Sequence, residues 1–147
     1  MRYKAIGILT LFFLSGFLQT GCESLQCDCY CSNSNVDELE LNDTIDLKYN
    51  TLYCNSKNEI RLSYDSIRDS RCPIGAKCIW EGNGAVKLHL QQSGRDPVSF
   101  WLNTLPDFLN DTVINGIRYE LIDLLPYPEL GKDYQPDDYI LQLLITD

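Results

Sequence analysis

The chain has 147 residues, a formal net charge of −9, seven cysteines and a single histidine. That length supports one modest hydrophobic core. An acidic surface with no basic patch interleaved with aromatics speaks against nucleic acid as a partner, and one histidine leaves a serine–histidine triad unsupported.

Residues 1–21 read as a processing segment. Arg2 and Lys4 give it a basic start, and the apolar run over residues 6–18 is broken only by Gly7, Thr10, Ser15 and Gly16. That run is shorter than the roughly 20 apolar residues of a spanning helix. Leu18-Gln19-Thr20-Gly21-Cys22 resembles a bacterial lipobox, in which cleavage between a small residue and a cysteine leaves the cysteine lipidated. Gln19 stands where that pattern has an aliphatic residue. The expectation is a cleaved lipoprotein signal peptide, with Cys22 as the lipidated first residue; an ordinary secretory signal is the plainer alternative. Loss of Arg2 and Lys4 takes the net charge from −9 to −11, so the membrane is expected to be reached through lipid rather than charge.

Residues 22–42 read as a Cys-rich acidic tether, too polar to bury a core of its own. Within it, Cys27, Cys29 and Cys31 alternate. Together with Cys54 they are candidate disulfide partners in an exported chain. The sharper alternative is a soft-metal site for Cu or Zn, because thiolates select such ions. No resident cofactor is expected.

From residue 43 the pattern changes to short alternating runs. Ile45, Leu47 and Tyr49 share one face, as do Ile60, Leu62 and Tyr64, with Arg61, Ser63 and Asp65 opposite. Ile79-Trp80 is expected to turn at Gly82-Asn83-Gly84 into Val86, Leu88 and Leu90, because Asn-Gly suits a tight hairpin with positive φ at both positions. A turn over residues 93–97 leads to Val98, Phe100 and Leu102, and Asn115-Gly116 repeats the hairpin device. Residues 117–125 and 139–146 continue as strands; the last, apolar on both faces, should be central or covered. About seven short strands without helical periodicity predict an all-β domain over residues 43–147, a small antiparallel β-sandwich or partly open barrel.

Cys72 and Cys78 flank Pro73 and Gly75, which let the chain fold back, so a structural disulfide is favoured over a redox pair. Trp80 is expected to pack on that disulfide as a core anchor. Alternation puts His89 beside Lys87 and Gln91 on the polar face, as a solvated side chain. No Gly-x-Ser-x-Gly elbow or His-Glu-x-x-His motif occurs, and no catalytic residue is assigned. A small carboxylate-based hydrolase remains the least favoured class.

Trp101 should face outward with Ser99 and Asn103, either open to a ligand or, the favoured alternative, covered by the tether or a long loop. With Tyr127 and Tyr134 of the loop over residues 126–138 it makes a candidate ligand or partner surface, for a protein or a glycan. That loop is also acidic, but it lacks the regular alternation of a calcium loop. Thr44, Ser66 and Thr112 each follow an aspartate and precede an aliphatic residue. These tripeptides resemble the sites at which Bacteroidota attach O-glycans to exported proteins.

Asp69-Ser70-Arg71-Cys72-Pro73, then Cys78-Ile79-Trp80, Gly82 and Ala85-Val86-x-Leu88, resemble the signature of a group of bacterial lipoproteins frequent in Bacteroidota. The likeness runs from about Leu47 to the final strand and includes Leu124-Leu125-Pro126-Tyr127-Pro128, with Glu81 where a small residue is usual. It implies an exported, anchored β domain; the expected location is the outer membrane, on its periplasmic face or at the cell surface. It implies no activity.

Overall fold

The computed structural model describes residue 31, residues 36–105 and residues 107–147. Cys22, Cys27 and Cys29, and with them the leader and the lipidation site, lie outside the described residues. No helix among the described residues is long and apolar enough to cross a membrane.

In chain order the strands are β1 (Asp37–Glu38), β2 (Asp43–Lys48), β3 (Tyr53–Asn55), β4 (Ile60–Asp69), β5 (Gly84–Gln92), β6 (Val98–Asn103), β7 (Asp111–Ile114), β8 (Ile117–Leu125) and β9 (Ile140–Thr146). They form a five-stranded sheet, β1-β3-β4-β5-β6, and a four-stranded sheet, β2-β9-β8-β7. All pairings are antiparallel except β1 with β3. The domain is therefore an all-β sandwich of nine strands rather than about seven.

The alternation explains the layers. Leu62, Tyr64, Val86, Leu88 and Leu102 of the first sheet join Leu47, Leu121, Leu141, Leu143 and Ile145 of the second in one buried cluster. Each such side chain contributes about 1.5–3 kcal/mol on removal from water. β9 lies between β2 and β8, as its two-sided apolar character predicts. Tyr64 carries its hydroxyl into this core and donates it to the Tyr139 carbonyl at 2.9 Å. Burial pushes that phenol well above its ordinary pKa.

The tether boundary moves. β1 pairs with β3, and Leu39 is fully buried in the core, so residues 37–41 belong to the domain. Leu39, with Leu41 packed against the core and backbone bonds from Asp37 and Leu39 to residues 52 and 54, holds the segment, and the acidic residues around them hid it.

The two Asn-Gly expectations part company. Asn115 and Gly116 both take positive φ (53° and 84°) and join β7 to β8 tightly, as predicted. Asn83-Gly84 forms no such turn. The β4–β5 ladder instead continues past Asp69–Gly84 through Ser70 N to Asn83 O (2.8 Å) and Cys72 N to Glu81 O (2.7 Å). The connection is the wider loop over residues 73–80. Trp80 lies in that loop, not in a strand, and is 56% exposed, so it is no core anchor.

Two bulges alter the phase. Between Tyr64 and Ser66 the register of β4 shifts against β5, making Asp65 an extra residue. Ile67 then packs against the core and the Asp69 side chain is 8% exposed, although unbroken alternation would have put both residues outward. A matching shift in β8 leaves Ile122 extra and half exposed.

Candidate functional site

The bulge in β4 delivers Asp69 to one end of the sandwich, where it meets Arg71. Asp69 Oδ1 accepts from Arg71 N (3.0 Å) and Nε (2.9 Å), and Oδ2 accepts from Nη2 (2.7 Å). This fork is the geometry for which guanidinium and carboxylate are matched. The other face of Arg71 donates Nη1 to Leu124 O (2.6 Å) and Nη2 to Pro126 O (2.9 Å). Arg71 is only 6% exposed, with the Tyr127 ring 4.7 Å away. The buried charges are thus paired and bonded, the condition under which burial of charge is tolerated. Tyr139 adds its hydroxyl to Asp69 Oδ2 at 3.3 Å; burial first, and then the Asp69 charge, raises the Tyr139 pKa.

The same node fixes the neighbouring loops. Cys72 and Cys78 are joined, as expected, with Cα atoms 6.0 Å apart. Gly82 has φ +75°, and any Cβ there would run into the Ser70 carbonyl oxygen, so glycine is required. Ile74 N donates to Pro128 O (2.8 Å) and Leu130 N to Ile74 O (3.0 Å), tying residues 126–131 to the stapled loop. The peptide bond Leu125–Pro126 is cis. Asp69, Arg71, Cys72, Cys78, Gly82, Pro126 and Tyr127 therefore form one architectural unit.

Two clefts flank it. One, of about 320 Å³, lies between Asp69, Tyr139 and the loop residues Pro128, Lys132, Tyr134 and Pro136. The other, of about 220 Å³, is lined by Arg71, Gly82, Thr104, Leu105, Ile122 and Tyr127. Tyr134 and Tyr127 thus serve different clefts. Tyr134 stacks edge-on with Tyr139, ring centroids 6.2 Å apart. Trp101 does face outward, half-buried on β6, with the Arg68 guanidinium 4.5 Å above its ring. The three aromatics of the predicted surface are not gathered into one groove.

The outer face of the first sheet holds what the sequence reading missed. His89 is not simply solvated: Nδ1 lies 2.8 Å from Ser99 Oγ, and Nε2 lies 2.8 Å from Asp65 Oδ1. Nε2 is shielded from water, and the carboxylate approaches it without the alignment of a hydrogen bond. Asp65 also accepts from Ser66 Oγ at 2.8 Å, and its carboxyl is held below the usual pKa, chiefly by His89 and then by Ser66. A signal for half of this existed, since a hairpin centred on Gly94 places His89 opposite Ser99. The bulge that brings in Asp65 had none.

A Ser–His–Asp order invites comparison with acyl-transfer triads. Catalysis also needs donors aimed at the developing oxyanion. Within the strands the backbone amides lie in the plane of the sheet, away from the side chains, so β5 and β6 do not themselves supply such donors to Ser99 Oγ. The trio forms a cross-strand polar ladder, and His89 and Ser99 line a groove of about 230 Å³ together with Leu52, Arg61, Pro97 and Val98.

Cys31 and Cys54 are disulfide-bonded, with Cα atoms 5.8 Å apart. Two of the four candidate cysteines are thus joined to each other, the disulfide alternative of the sequence reading for that pair. Among the described residues no group of three or more His, Cys, Asp or Glu converges to hold a metal. Thr44 and Thr112 lie on β2 and β7, the two edge strands of the second sheet, and Ser66 lies at the bulge of β4 with its hydroxyl given to Asp65.

The chain matches no protein-family model, no curated protein and no solved structure.

Proposed function

We propose that this protein is an exported, lipid-anchored β-sandwich that serves as a binding or structural module of the cell envelope. The observation that carries the exported part is the pair of disulfides, Cys31–Cys54 and Cys72–Cys78, because such bonds persist in oxidising compartments and not in a reducing cytosol. The leader and Cys22 supply the anchor, and the resemblance to Bacteroidota lipoproteins agrees with both. The outer membrane, on its periplasmic face or at the cell surface, is the expected location.

Geometry favours a module over an enzyme. The most constrained residues, Asp69 and Arg71, are spent on holding loops together. The partner expected at the clefts beside them is a protein or a glycan. O-glycans at Thr44, Ser66 and Thr112 fit the same location, with exposed Thr44 the most accessible acceptor.

Metabolic labelling of the native host with a fatty acid tests the anchor. The label should be incorporated and the protein should sediment with membranes; Cys22→Ser should abolish both. An unlabelled, soluble native protein would overturn the proposal.

A further inference from the structure

We propose that the tip of the stapled loop, Ile79 and Trp80 with Ile74 and Leu130 beside them, is a membrane-seating surface that inserts into the interface of the bilayer holding the anchor. This rests on the lipid-anchor reading for the bilayer concerned. Ile79 is fully exposed, Trp80 56%, Ile74 62% and Leu130 66%. Large apolar groups on a loose loop need no explanation, but this loop is fixed. The Cys72–Cys78 bond, the Cys72 N–Glu81 O bond (2.7 Å), the Ala76 N–Pro73 O bond (3.0 Å) and the Ile74–Leu130 bond hold it in place.

None of the four apolar residues lines any cleft described above, so those clefts give a small ligand no hold on them. Four side chains also fall well short of the roughly 800 Å² per partner that specific protein interfaces bury. A fluid interface demands no shape complementarity, and there tryptophan keeps its ring in apolar surroundings and its N–H wet. Lys77 within the loop has a stem long enough to leave its charge in the headgroup layer, whereas Lys132 beside Leu130 is paired with Glu129 at 2.8 Å.

The tether length selects the pose. Cys54 pairs with Arg61, and the ladder then runs eleven residues to Cys72, roughly 35 Å away. The nine residues from Cys22 to Cys31 span at most about 30 Å. An upright domain with its tip in the bilayer would stretch the tether beyond reach. A domain lying along the bilayer raises Cys31 by little more than the thickness of two sheets about 10 Å apart. Anchor and tip then enter the same leaflet, and a contact too weak to hold alone becomes an orienting one because it is intramolecular.

The test uses the lipidated mature protein in phosphatidylcholine vesicles containing brominated lipid, with Trp101→Phe leaving Trp80 as the sole tryptophan and Trp80→Phe leaving Trp101 as the reference. Trp80 emission should shift to the blue and be quenched severalfold more than that of Trp101, and Ile79→Asp should reduce the quenching without altering thermal unfolding. Equal quenching of the two tryptophans, or a Trp80 as open to aqueous iodide with vesicles as without, overturns the proposal and leaves the tip to a protein partner. Intact mass of the same sample reports the lipid on Cys22 separately. If it is absent, the anchor reading fails, and the same quenching comparison, made with the chain held to the vesicle by an amino-terminal His tag on a chelating lipid, still decides the tip.

Discussion

Asp65 and Asp69 stand four residues apart on one strand, each beside a basic side chain and a hydroxyl, and they do opposite work. Asp69 is buried against Arg71 and orients the guanidinium that donates to the carbonyls of residues 124 and 126. Asp65, half-exposed, closes a line with His89 and Ser99 on an open face. The residue types are alike, and what separates them is water. A buried, fully bonded charge pair cannot lose one member cheaply, whereas an exposed one is screened and nearly dispensable.

Removing the buried partner should have the largest effect. Arg71→Met leaves the Asp69 carboxylate uncompensated and should lower stability by about 3–5 kcal/mol in urea unfolding. Adding Asp69→Asn to the same chain should restore part of that loss; no restoration would mean that Arg71 acts through packing alone. The disulfides come next. By loop length, opening Cys31–Cys54 should cost about 3 kcal/mol and opening Cys72–Cys78 about 2 kcal/mol, an order that paired serine variants would check. Equal or inverted losses would mean that the staple is part of the Arg71 node.

On the open face, His89→Ala and Ser99→Ala should each change stability by about 1 kcal/mol or less. Neither Ser99 nor any other serine should react with a fluorophosphonate probe; stoichiometric labelling lost in Ser99→Ala would turn the ladder into an active site. Acid titration gives the smallest effect. The Asp65 pKa is lowered in the folded state, so its contribution is complete above the ordinary value of 3.8 and fades as pH falls through the folded value. The unfolding curves of the native chain and of Asp65→Asn should therefore differ near neutral pH and converge in acid.

Alternation and turn chemistry made most of the sandwich legible. Ile60, Leu62 and Tyr64, the Asn115-Gly116 turn, the covered final strand and the Cys72–Cys78 staple all follow local rules. What escaped depends on register. The β4 bulge shifts the phase by one residue, turning Asp69 inward and steering Asp65 towards His89, and no local composition marks it. Trp80 misled because a large aromatic beside a cysteine suggests a core, whereas the Arg71 hydrogen bonds already fill that end. Leu39 was hidden for the converse reason: it and Leu41, which packs against the core beside it, stand in an acidic run.

Thiol trapping followed by mass spectrometry, on protein purified from its membrane without reductant, tests the central claim most directly. The exported, stapled domain should yield linked Cys31–Cys54 and Cys72–Cys78 peptides, with an acylated Cys22. Free, alkylated Cys31 and Cys54 accompanied by copper or zinc would contradict it.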